Sequence, residues 1–376
     1  MSREFTIDDL IKVAKRENNT KRSYLYVNPI QGKHIPVSPS LSLELFSQMT
    51  TIVEEKFGGE SLLVIGFAET ATAIGSAIAY KAKNVAFYMN TTREIIPGAE
   101  YLFFTESHSH ATEQRLVKSG LTGILPKIDR IVFAEDEVTT GNTIEKLIDA
   151  ILNDFDCSHC KFGIISILNS MPEERIQALR EKQVECAYIH RIPARYRIDE
   201  IKNHSYKPLR TDISCSDNRK YRELTEDNYW NSRVICDTET IRTLVHRFVE
   251  KVESQLEFQS NQRILILGTE EFMFPAMRLG SYIEAKYPDA FVRFHATTRS
   301  PIEISDDKEY PLHNRAPLNS LYDKDRKTFV YNLCPYDHVI IVTDANPVQS
   351  QGVSSLIDAL IEVGNKEITM VRWEER

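Results

Sequence analysis

The chain has 376 residues, of which 42% are hydrophobic and 27% are charged, a composition typical of globular proteins that excludes a disordered or fibrous one. This length is more than one ordinary domain needs and predicts two domains. The formal net charge of -8 argues against a general nucleic-acid or anionic-membrane surface, because such a surface needs a basic face.

The start of the chain and its cysteines indicate the compartment. Residues 1–15 carry charges at Arg3, Glu4, Asp8 and Asp9, among others, and lack the apolar stretch of a signal peptide. No apolar run approaches the roughly 20 residues that span a bilayer. The six cysteines are scattered over the chain, as is typical of reduced thiols. We therefore expect a cytoplasmic protein.

Short apolar runs recur in the first half, each bounded by turn residues, and most are followed by a segment with helical periodicity. The pattern is typical of buried parallel strands joined by crossover helices. It predicts an α/β fold with a doubly wound parallel sheet. The predicted strands are residues 62–66, 85–89, 131–134 and 162–168, and the predicted helices are residues 72–81, 143–153 and 173–182.

The same pattern returns after residue 260, with matching letters in the same order. The matching segments are 264–271 with 62–69, 295–299 with 89–93, and 337–344 with 129–136. Three ordered matches indicate an internal repeat, so we expect a second doubly wound parallel-sheet domain. Residues 193–231 between the halves show neither helical nor strand periodicity and are predicted to be a connector.

Residues 131–143 combine an apolar strand, two acids and a polar turn that opens a helix. The turn lies at the predicted helix N-terminus, where backbone N–H groups and the helix dipole favour a phosphate. Gly141 permits close approach of the backbone. The hydroxyl groups of Thr139, Thr140 and Thr143 add hydrogen-bond donors.

The acids before the turn suit a different part of the same ligand. Glu135 and Asp136 can accept hydrogen bonds from the vicinal hydroxyls of a ribose, or hold a magnesium ion through water and ligand oxygens. Phosphate donors a few residues beyond hydroxyl acceptors predict a site for a 5-phosphoribosyl group. The alternative is an ordinary helix N-cap with acids at the strand end by chance.

Residues 131–143 closely resemble the signature with which type I phosphoribosyltransferases bind phosphoribosyl pyrophosphate (PRPP). That signature has four apolar residues, two acids, two variable positions and Thr-Thr-Gly-x-Thr. The resemblance implies the type I fold for the first domain and a site for Mg²⁺ at Glu135 and Asp136, which would also be catalytic. The residues implied to hold the phosphate are Thr139, Thr140, Gly141, Asn142 and Thr143.

Two further segments resemble the same family. Residues 66–71 (Gly-Phe-Ala-Glu-Thr-Ala) resemble its pyrophosphate loop, and residues 91–93 (Thr-Thr-Arg) resemble its second diphosphate contact. The resemblance implies that Arg93 is a catalytic cation. The residues implied to bind the diphosphate are Ala68, Glu69, Thr70, Ala71, Thr92 and Arg93.

Residues 94–127 stand where orotate-type members have a mobile loop over the active site. The candidates there for contact with the diphosphate or the base are His108, His110 and Arg115; a solvated polar loop is the alternative. Two departures weaken the transfer of catalytic detail. Glu137 stands where many members have an apolar residue, and the loop has no Lys-rich stretch.

The second half contains Thr298-Arg299-Ser300-Pro301, the motif that names the TRSP domain. That domain follows a phosphoribosyltransferase in bacterial tellurium-resistance and stress-response gene clusters. We expect a helical extension (1–21), a phosphoribosyltransferase domain (22–192), the connector (193–231) and a TRSP domain (232–376) that is a diverged repeat. Residues 345–352 lack the Thr-Thr-Gly-Asn-Thr turn, so we expect that this half has lost the ability to bind PRPP. The candidates there for an anion are Thr298, Arg299 and Ser300, with a structural turn as the alternative.

The resemblance implies a Mg²⁺-dependent enzyme, with PRPP and a small, unidentified nitrogenous base as its partners. It implies a product used in the biosynthesis of a nucleoside-like compound, and we expect a homodimer. Two alternatives stay open. One is a regulatory protein that binds PRPP or a nucleotide without turnover. The other is a pyrophosphorylase or hydrolase that acts in reverse on a nucleoside phosphate.

Overall fold

A computed structural model describes residues 3–19, 22–104, 114–216 and 220–375. The chain divides into two compact units, each discontinuous in sequence. The six-stranded unit comprises Phe46–Tyr196 and Trp230–Thr243. The five-stranded unit comprises Met1–Leu45, Arg197–Tyr229 and Leu244–Arg376.

The strands, in chain order, are β1 (Lys12–Lys15), β2 (Tyr24–Val27), β3 (Leu62–Gly66), β4 (Val85–Asn90), β5 (Tyr101–Phe103), β6 (Arg115–Val117), β7 (Arg130–Val138), β8 (Lys161–Asn169), β9 (Val184–Arg191), β10 (Arg222–Glu226), β11 (Cys236–Asp237), β12 (Arg263–Gly268), β13 (Phe291–Ala296), β14 (Arg315–Asn319), β15 (Lys327–Tyr331), β16 (His338–Thr343) and β17 (Glu367–Trp373). The α-helices are α1 (Ile7–Leu10), α2 (Pro39–Lys56), α3 (Thr72–Lys81), α4 (Leu121–Ile124), α5 (Asn142–Asp154), α6 (Glu173–Glu181), α7 (Thr238–Glu253), α8 (Phe274–Lys286) and α9 (Ser350–Glu362). Across the described ranges, none of these helices combines the length and apolar character needed to cross a membrane.

The sheet of the six-stranded unit has the strand order β11-β4-β3-β7-β8-β9. The strands β4, β3, β7, β8 and β9 are parallel to one another, and β11 pairs with β4 in the antiparallel direction. All five residues of β3 are buried, which explains why this strand is a continuous apolar run without alternation. The predicted α/β parallel sheet is confirmed for this unit.

The sheet of the five-stranded unit has the order β13-β12-β16-β17-β10 and is parallel throughout. At its outer edge Val37 forms an antiparallel bridge with Phe294 through two backbone hydrogen bonds of 3.0 and 2.7 Å. A buried apolar cluster between α9 and the sheet includes Leu265, Ile341 and Leu356.

The two sheets correspond strand by strand in the order that the repeat predicts. The strands β4, β3, β7 and β8 of one sheet match β13, β12, β16 and β17 of the other. In each unit an antiparallel hairpin follows the edge strand of this set. The hairpin β5–β6 follows β4, and the hairpin β14–β15 follows β13. The expectation of a second, diverged parallel-sheet repeat is confirmed.

Two segments differ from their predicted secondary structure. Within its described residues, 3–19, the N-terminal extension is helical only in α1, which begins with a reciprocal capping box of Thr6 and Asp9. β1 then pairs with β2. The predicted connector contains β10, which pairs in parallel with β17. Its residues are mainly polar because an edge strand is only partly covered. The domain boundaries 22–192 and 232–376 stay a prediction. They divide the chain into continuous segments, whereas each compact unit is built from separated parts of the chain.

Candidate active site

Two segments predicted to bind diphosphate lie side by side at the carboxyl edge of the six-stranded sheet. The Thr91 amide donates to the Gly66 carbonyl at 2.9 Å, and the Ala68 amide donates to Thr91 Oγ1 at 2.9 Å. The peptide bond between Ala68 and Glu69 is cis. The Ala71 amide donates to the Phe67 carbonyl at 3.0 Å. The amides of Ala68 and Ala71 therefore hold the pyrophosphate loop in shape, and the contact of these two residues with PRPP stays a prediction.

Gly66 is required at the start of this loop by the packing beneath it. A Cβ at residue 66 would lie 2.7 Å from the Tyr88 hydroxyl and 3.1 Å from the Ala71 carbonyl oxygen. Both distances are shorter than ordinary van der Waals contact. The bare backbone lets β3 turn sharply into the loop while β4 stays close to it.

The two acids lie within a strand and not beyond its end. β7 continues to Val138, and Glu135 pairs with Ser166 of β8, because β8 is itself long enough to offer a partner. On its other side β7 pairs with β3 only as far as Ala134, opposite Gly66. The acids thus extend past the end of β3, towards the pyrophosphate loop, whose Phe67 amide donates to the Ala134 carbonyl at 3.0 Å.

The acids repel one another. Burial of its carboxyl group, followed by the negative charge of Asp136, raises the pKa of Glu135 well above its ordinary value; the charge of Glu137 adds to this. A divalent cation would relieve the repulsion. Among the described residues no group of three or more His, Cys, Asp or Glu side chains is placed to hold a metal. Any Mg²⁺ at Glu135 and Asp136 would therefore take its other oxygens from water or from a ligand.

The phosphate turn has the geometry that its sequence predicts. Gly141 has φ +71° and directly precedes α5, a left-handed conformation that favours glycine. A Cβ there would also lie 3.1 Å from Met171 Sδ. The Asn142 amide donates to Thr140 Oγ1 at 3.3 Å. The side chains of Thr140, Asn142 and Thr143 are exposed and that of Thr139 is half-buried, so the turn faces solvent at a helix N-terminus.

Arg175 of α6 holds this turn, although no sequence motif predicts the contact. Its Nε donates to the Thr140 carbonyl at 3.0 Å, and its terminal nitrogen lies 3.2 Å from Asn142 Oδ1 and 2.5 Å from Glu145 Oε2. The hydrogen bond from Arg175, followed by that from Lys182, holds the pKa of Glu145 below its usual value. Because 30 residues separate Arg175 from Glu145, no local motif could have indicated the contact.

The hairpin β5–β6 brings Arg115 next to the second diphosphate segment. The amides of Thr92 and Arg115 donate to each other's carbonyl groups at 2.8 and 3.0 Å. The Arg115 guanidinium lies over the rings of Tyr101 and Phe103, 5.4 and 5.6 Å from their centroids. Thr92 is fully buried and Arg93 half-buried. His108 and His110 lie outside the described residues.

The equivalent edge of the five-stranded unit contains a buried ion-pair cluster. Glu270, at the position of Ala68, accepts from Arg299 Nε at 2.7 Å and from Arg326 at 2.8 Å. Arg299 also contacts Glu271 at 3.2 Å, and the Ser300 amide donates to Thr298 Oγ1 at 3.2 Å. Internal carboxylates therefore neutralise Arg299, and the anion-binding role predicted for residues 298–300 stays a prediction that these contacts do not favour.

Two family models match the chain. Residues 10–195 match the family described as phosphoribosyl transferase. Residues 235–360 match the TRSP domain, described as lying C-terminal to that family's domain. No curated protein matches the sequence.

Solved structures with a similar fold include three phosphoribosyltransferases of low sequence identity. The adenine enzyme of Rhodothermus marinus is 12% identical with a TM-score of 0.33, and the match covers 50% of this chain and 96% of that one. The adenine enzyme of Giardia lamblia, complexed with 9-deazaadenine, is 12% identical with a TM-score of 0.36, covering 49% and 94%. The orotate enzyme of Aeropyrum pernix is 13% identical with a TM-score of 0.32, covering 51% and 92%.

Proposed function

Because residues 10–195 belong to the phosphoribosyl transferase family, we propose that the six-stranded unit transfers the 5-phosphoribosyl group of PRPP to a small nitrogenous base. One observation carries this proposal. Three segments meet at one sheet edge, where Gly66 bonds to Thr91 and pairs with Ala134. Residues 66–71 and 91–93 suit the diphosphate of PRPP, and residues 135–143 suit its ribose and its 5-phosphate. Ligands of open α/β sheets bind at this edge.

Each part of PRPP has its own set of residues in this proposal. The 5-phosphate binds at the turn of residues 139–143, where the N-terminus of α5 adds its dipole. Glu135 and Asp136 accept hydrogen bonds from the ribose hydroxyls. The diphosphate binds between Glu69–Thr70 and Thr92–Arg93, with Arg115 beside them.

The chemistry needs electrostatic support more than a covalent partner. The bond between ribose C1 and the diphosphate oxygen breaks, the diphosphate takes the electron pair, and a nitrogen of the base forms the new bond to C1. The proton of that nitrogen passes to the departing diphosphate or to water. Arg93 would neutralise the leaving diphosphate, while Glu135 and Asp136 would balance positive charge on the ribose ring. Mg²⁺, held by these acids and by PRPP, would supply further stabilisation of the diphosphate. The hairpin β5–β6, which lies beside residues 92–93, would help to keep water out.

Release of pyrophosphate tests the proposal against its two alternatives. The full chain is incubated with PRPP, Mg²⁺ and a panel of bases that includes adenine and orotate, and pyrophosphate is measured. Base-dependent release is expected. Tight PRPP binding without release for any base would favour the regulatory alternative. Release of PRPP from a nucleoside monophosphate and pyrophosphate, or of free base by hydrolysis, without the forward reaction, would favour the reverse-acting enzyme.

The setting of the reaction is also part of the proposal. All six cysteines are free thiols, which suits a reducing compartment such as the cytoplasm. A homodimer, a nucleoside-like product and a link to tellurium resistance remain predictions from the resemblance. Size-exclusion chromatography with light scattering tests the first of these directly.

A further inference from the structure

The six-stranded unit is completed by a segment that lies far outside the phosphoribosyl transferase match. We call residues 230–243 the strap; they begin 35 residues after the match ends at residue 195. Within the strap, β11 pairs with Phe87 and Tyr88 of β4. The strap therefore covers the edge strand that leads directly into Thr91, Thr92 and Arg93.

The contact between Ser232 and Asn90 lies directly before the diphosphate segment, which begins at Thr91. The Asn90 amide donates to the Ser232 carbonyl at 2.6 Å, and Asn90 Nδ2 donates to Ser232 Oγ at 2.9 Å. Both residues are buried, Asn90 with 1% and Ser232 with 5% of its surface exposed. The last residue of β4 is thus held by main chain and side chain at once.

From Asn90 the connections continue into both diphosphate-binding segments. The next residue, Thr91, bonds to the Gly66 carbonyl and the Ala68 amide. Asn90 Oδ1 also accepts from the Tyr88 hydroxyl, whose oxygen lies beneath Gly66 and 3.0 Å from the Thr72 carbonyl oxygen. A shift of Asn90 would therefore move the pyrophosphate loop and residues 91–93 together.

Three other strap residues make contacts away from the site. Thr238 Oγ1 donates to the Val85 carbonyl at 2.8 Å, and Arg242 donates to the carbonyls of Tyr80 and Ala82 at 2.8 and 3.0 Å. Trp230 is buried, with its ring 6.0 Å from that of Tyr88. The strap is thus held along β4 and at the end of α3, independently of the Ser232 hydroxyl.

We propose that Ser232 is a positioning residue for PRPP, which fixes the diphosphate-binding segments through Asn90. This inference rests on the proposed function only where PRPP is concerned. A positioning residue acts on the ligand contacts it holds. Loss of the Ser232 hydroxyl should therefore weaken PRPP binding and leave the reaction of bound PRPP largely unchanged.

The test uses Ser232→Ala in the full chain, which removes Oγ and keeps the backbone bond to Asn90. We expect the KM for PRPP to rise about fivefold, as the loss of one buried hydrogen bond would give, with kcat within about twofold. Ser232→Thr keeps a hydroxyl and should restore the wild-type KM. Ser42→Ala removes another buried hydroxyl, bonded to the Ile30 carbonyl at 2.5 Å, and should leave the KM unchanged.

Hydrogen–deuterium exchange gives a readout without ligand. In Ser232→Ala the amides of residues 90–93 should exchange faster than in the wild type, and in Ser42→Ala they should not. Unchanged exchange, or equal changes of KM in both alanine variants, would overturn the positioning role. Faster exchange in a chain whose wild type does not bind PRPP would support the positioning role and refute the proposed function.

Discussion

Thr91 Oγ1 accepts a hydrogen bond from the Ala68 amide at 2.9 Å. The repeat preserves this bond, although the residues proposed to contact PRPP differ between the two units. In the five-stranded unit Thr297 Oγ1 accepts from the Glu270 amide at 3.0 Å. The residue whose amide is held is alanine in one unit and glutamate in the other. The same hydrogen bond, from a backbone amide to a threonine hydroxyl, therefore supports an open loop in one unit and a buried carboxylate in the other.

Glu270→Ala tests that buried carboxylate. The substitution leaves Arg299 and Arg326 without a carboxylate that now lies within 2.8 Å of both. We expect a loss of about 3 to 5 kcal/mol in the free energy of unfolding of this unit, because two largely buried cations would lose the carboxylate that lies nearest to both. Chemical unfolding measures it, with the exposed Glu257→Gln as a control that should change little. An equally small change for Glu270→Ala would contradict a role in stability.

Asp136→Asn tests the ribose contact. Removal of this charge should lower kcat/KM for PRPP about 100-fold, since positioned charges at a reacting centre commonly contribute that much. Asp149→Asn, an equal change at an exposed position of α5, should keep wild-type kinetics. Steady-state assays of pyrophosphate release compare them. Unaltered PRPP binding and turnover in Asp136→Asn would remove the basis of the proposed site.

Gly141→Ala tests the left-handed turn. We expect a loss of about 1 to 2 kcal/mol from the positive φ, and a further loss from the contact with Met171 Sδ. Gly59→Ala is the matched control, because Gly59 has φ +84° with nothing within 4 Å of its Cβ. Urea unfolding should therefore show a larger loss for Gly141→Ala. Equal losses of unfolding free energy in the two variants would mean that Met171 moves aside without a cost in stability.

Arg175→Met tests the support of the phosphate turn. The variant removes the bonds to the Thr140 carbonyl, Asn142 and Glu145, so the KM for PRPP should rise about tenfold. Arg180→Met on the same helix removes only an exposed contact with Gln177 at 3.4 Å and should leave the KM unchanged. If both variants behave alike, Arg175 does not hold the turn for the ligand.

Glu60 gives the fold a pH-dependent term. Its carboxylate accepts from Arg130 Nε at 2.6 Å and from Lys161 at 2.8 Å, and the bond from Arg130 is the main cause of its lowered pKa. Because the folded pKa lies below the unfolded value of 4.5, this stabilisation is present above pH 4.5 and is lost as pH falls through the folded pKa. Thermal unfolding of Glu60→Gln between pH 3 and 7 should therefore show a smaller acid-induced drop than the wild type.

The parts of the fold that could be predicted from sequence are those that local patterns encode. Buried parallel strands are continuous apolar runs, and the order of a phosphoribosyl transferase region followed by a TRSP domain is confirmed by the family models. Gly141 could be singled out because it stands in a polar turn that opens a helix, whereas its positive φ is seen only in the structure. The length of β7 was not predicted, because the acids Glu135 and Asp136 in its second half obscure the apolar pattern of a strand.

Long-range contacts account for what the sequence did not reveal. Arg175 reaches Thr140 across 35 residues, and Ser232 reaches Asn90 across 142 residues. The hydrogen bond from the Ala68 amide to Thr91 of the next strand was not expected for the same reason, and the PRPP contact predicted for Ala68 stays a prediction. None of these pairings has a periodicity or a motif, because each depends on which strand ends become neighbours.

The strap also determines when the six-stranded unit can form during synthesis. Its edge strand β11 and the residues that anchor it leave the ribosome only after residue 243 has been made. Until then the outer edge of β4 is unpaired, and unpaired strand edges invite association with other chains. A nascent chain stalled near residue 195 would therefore be the species at greatest risk of aggregation, although its sequence already contains every residue proposed to contact PRPP.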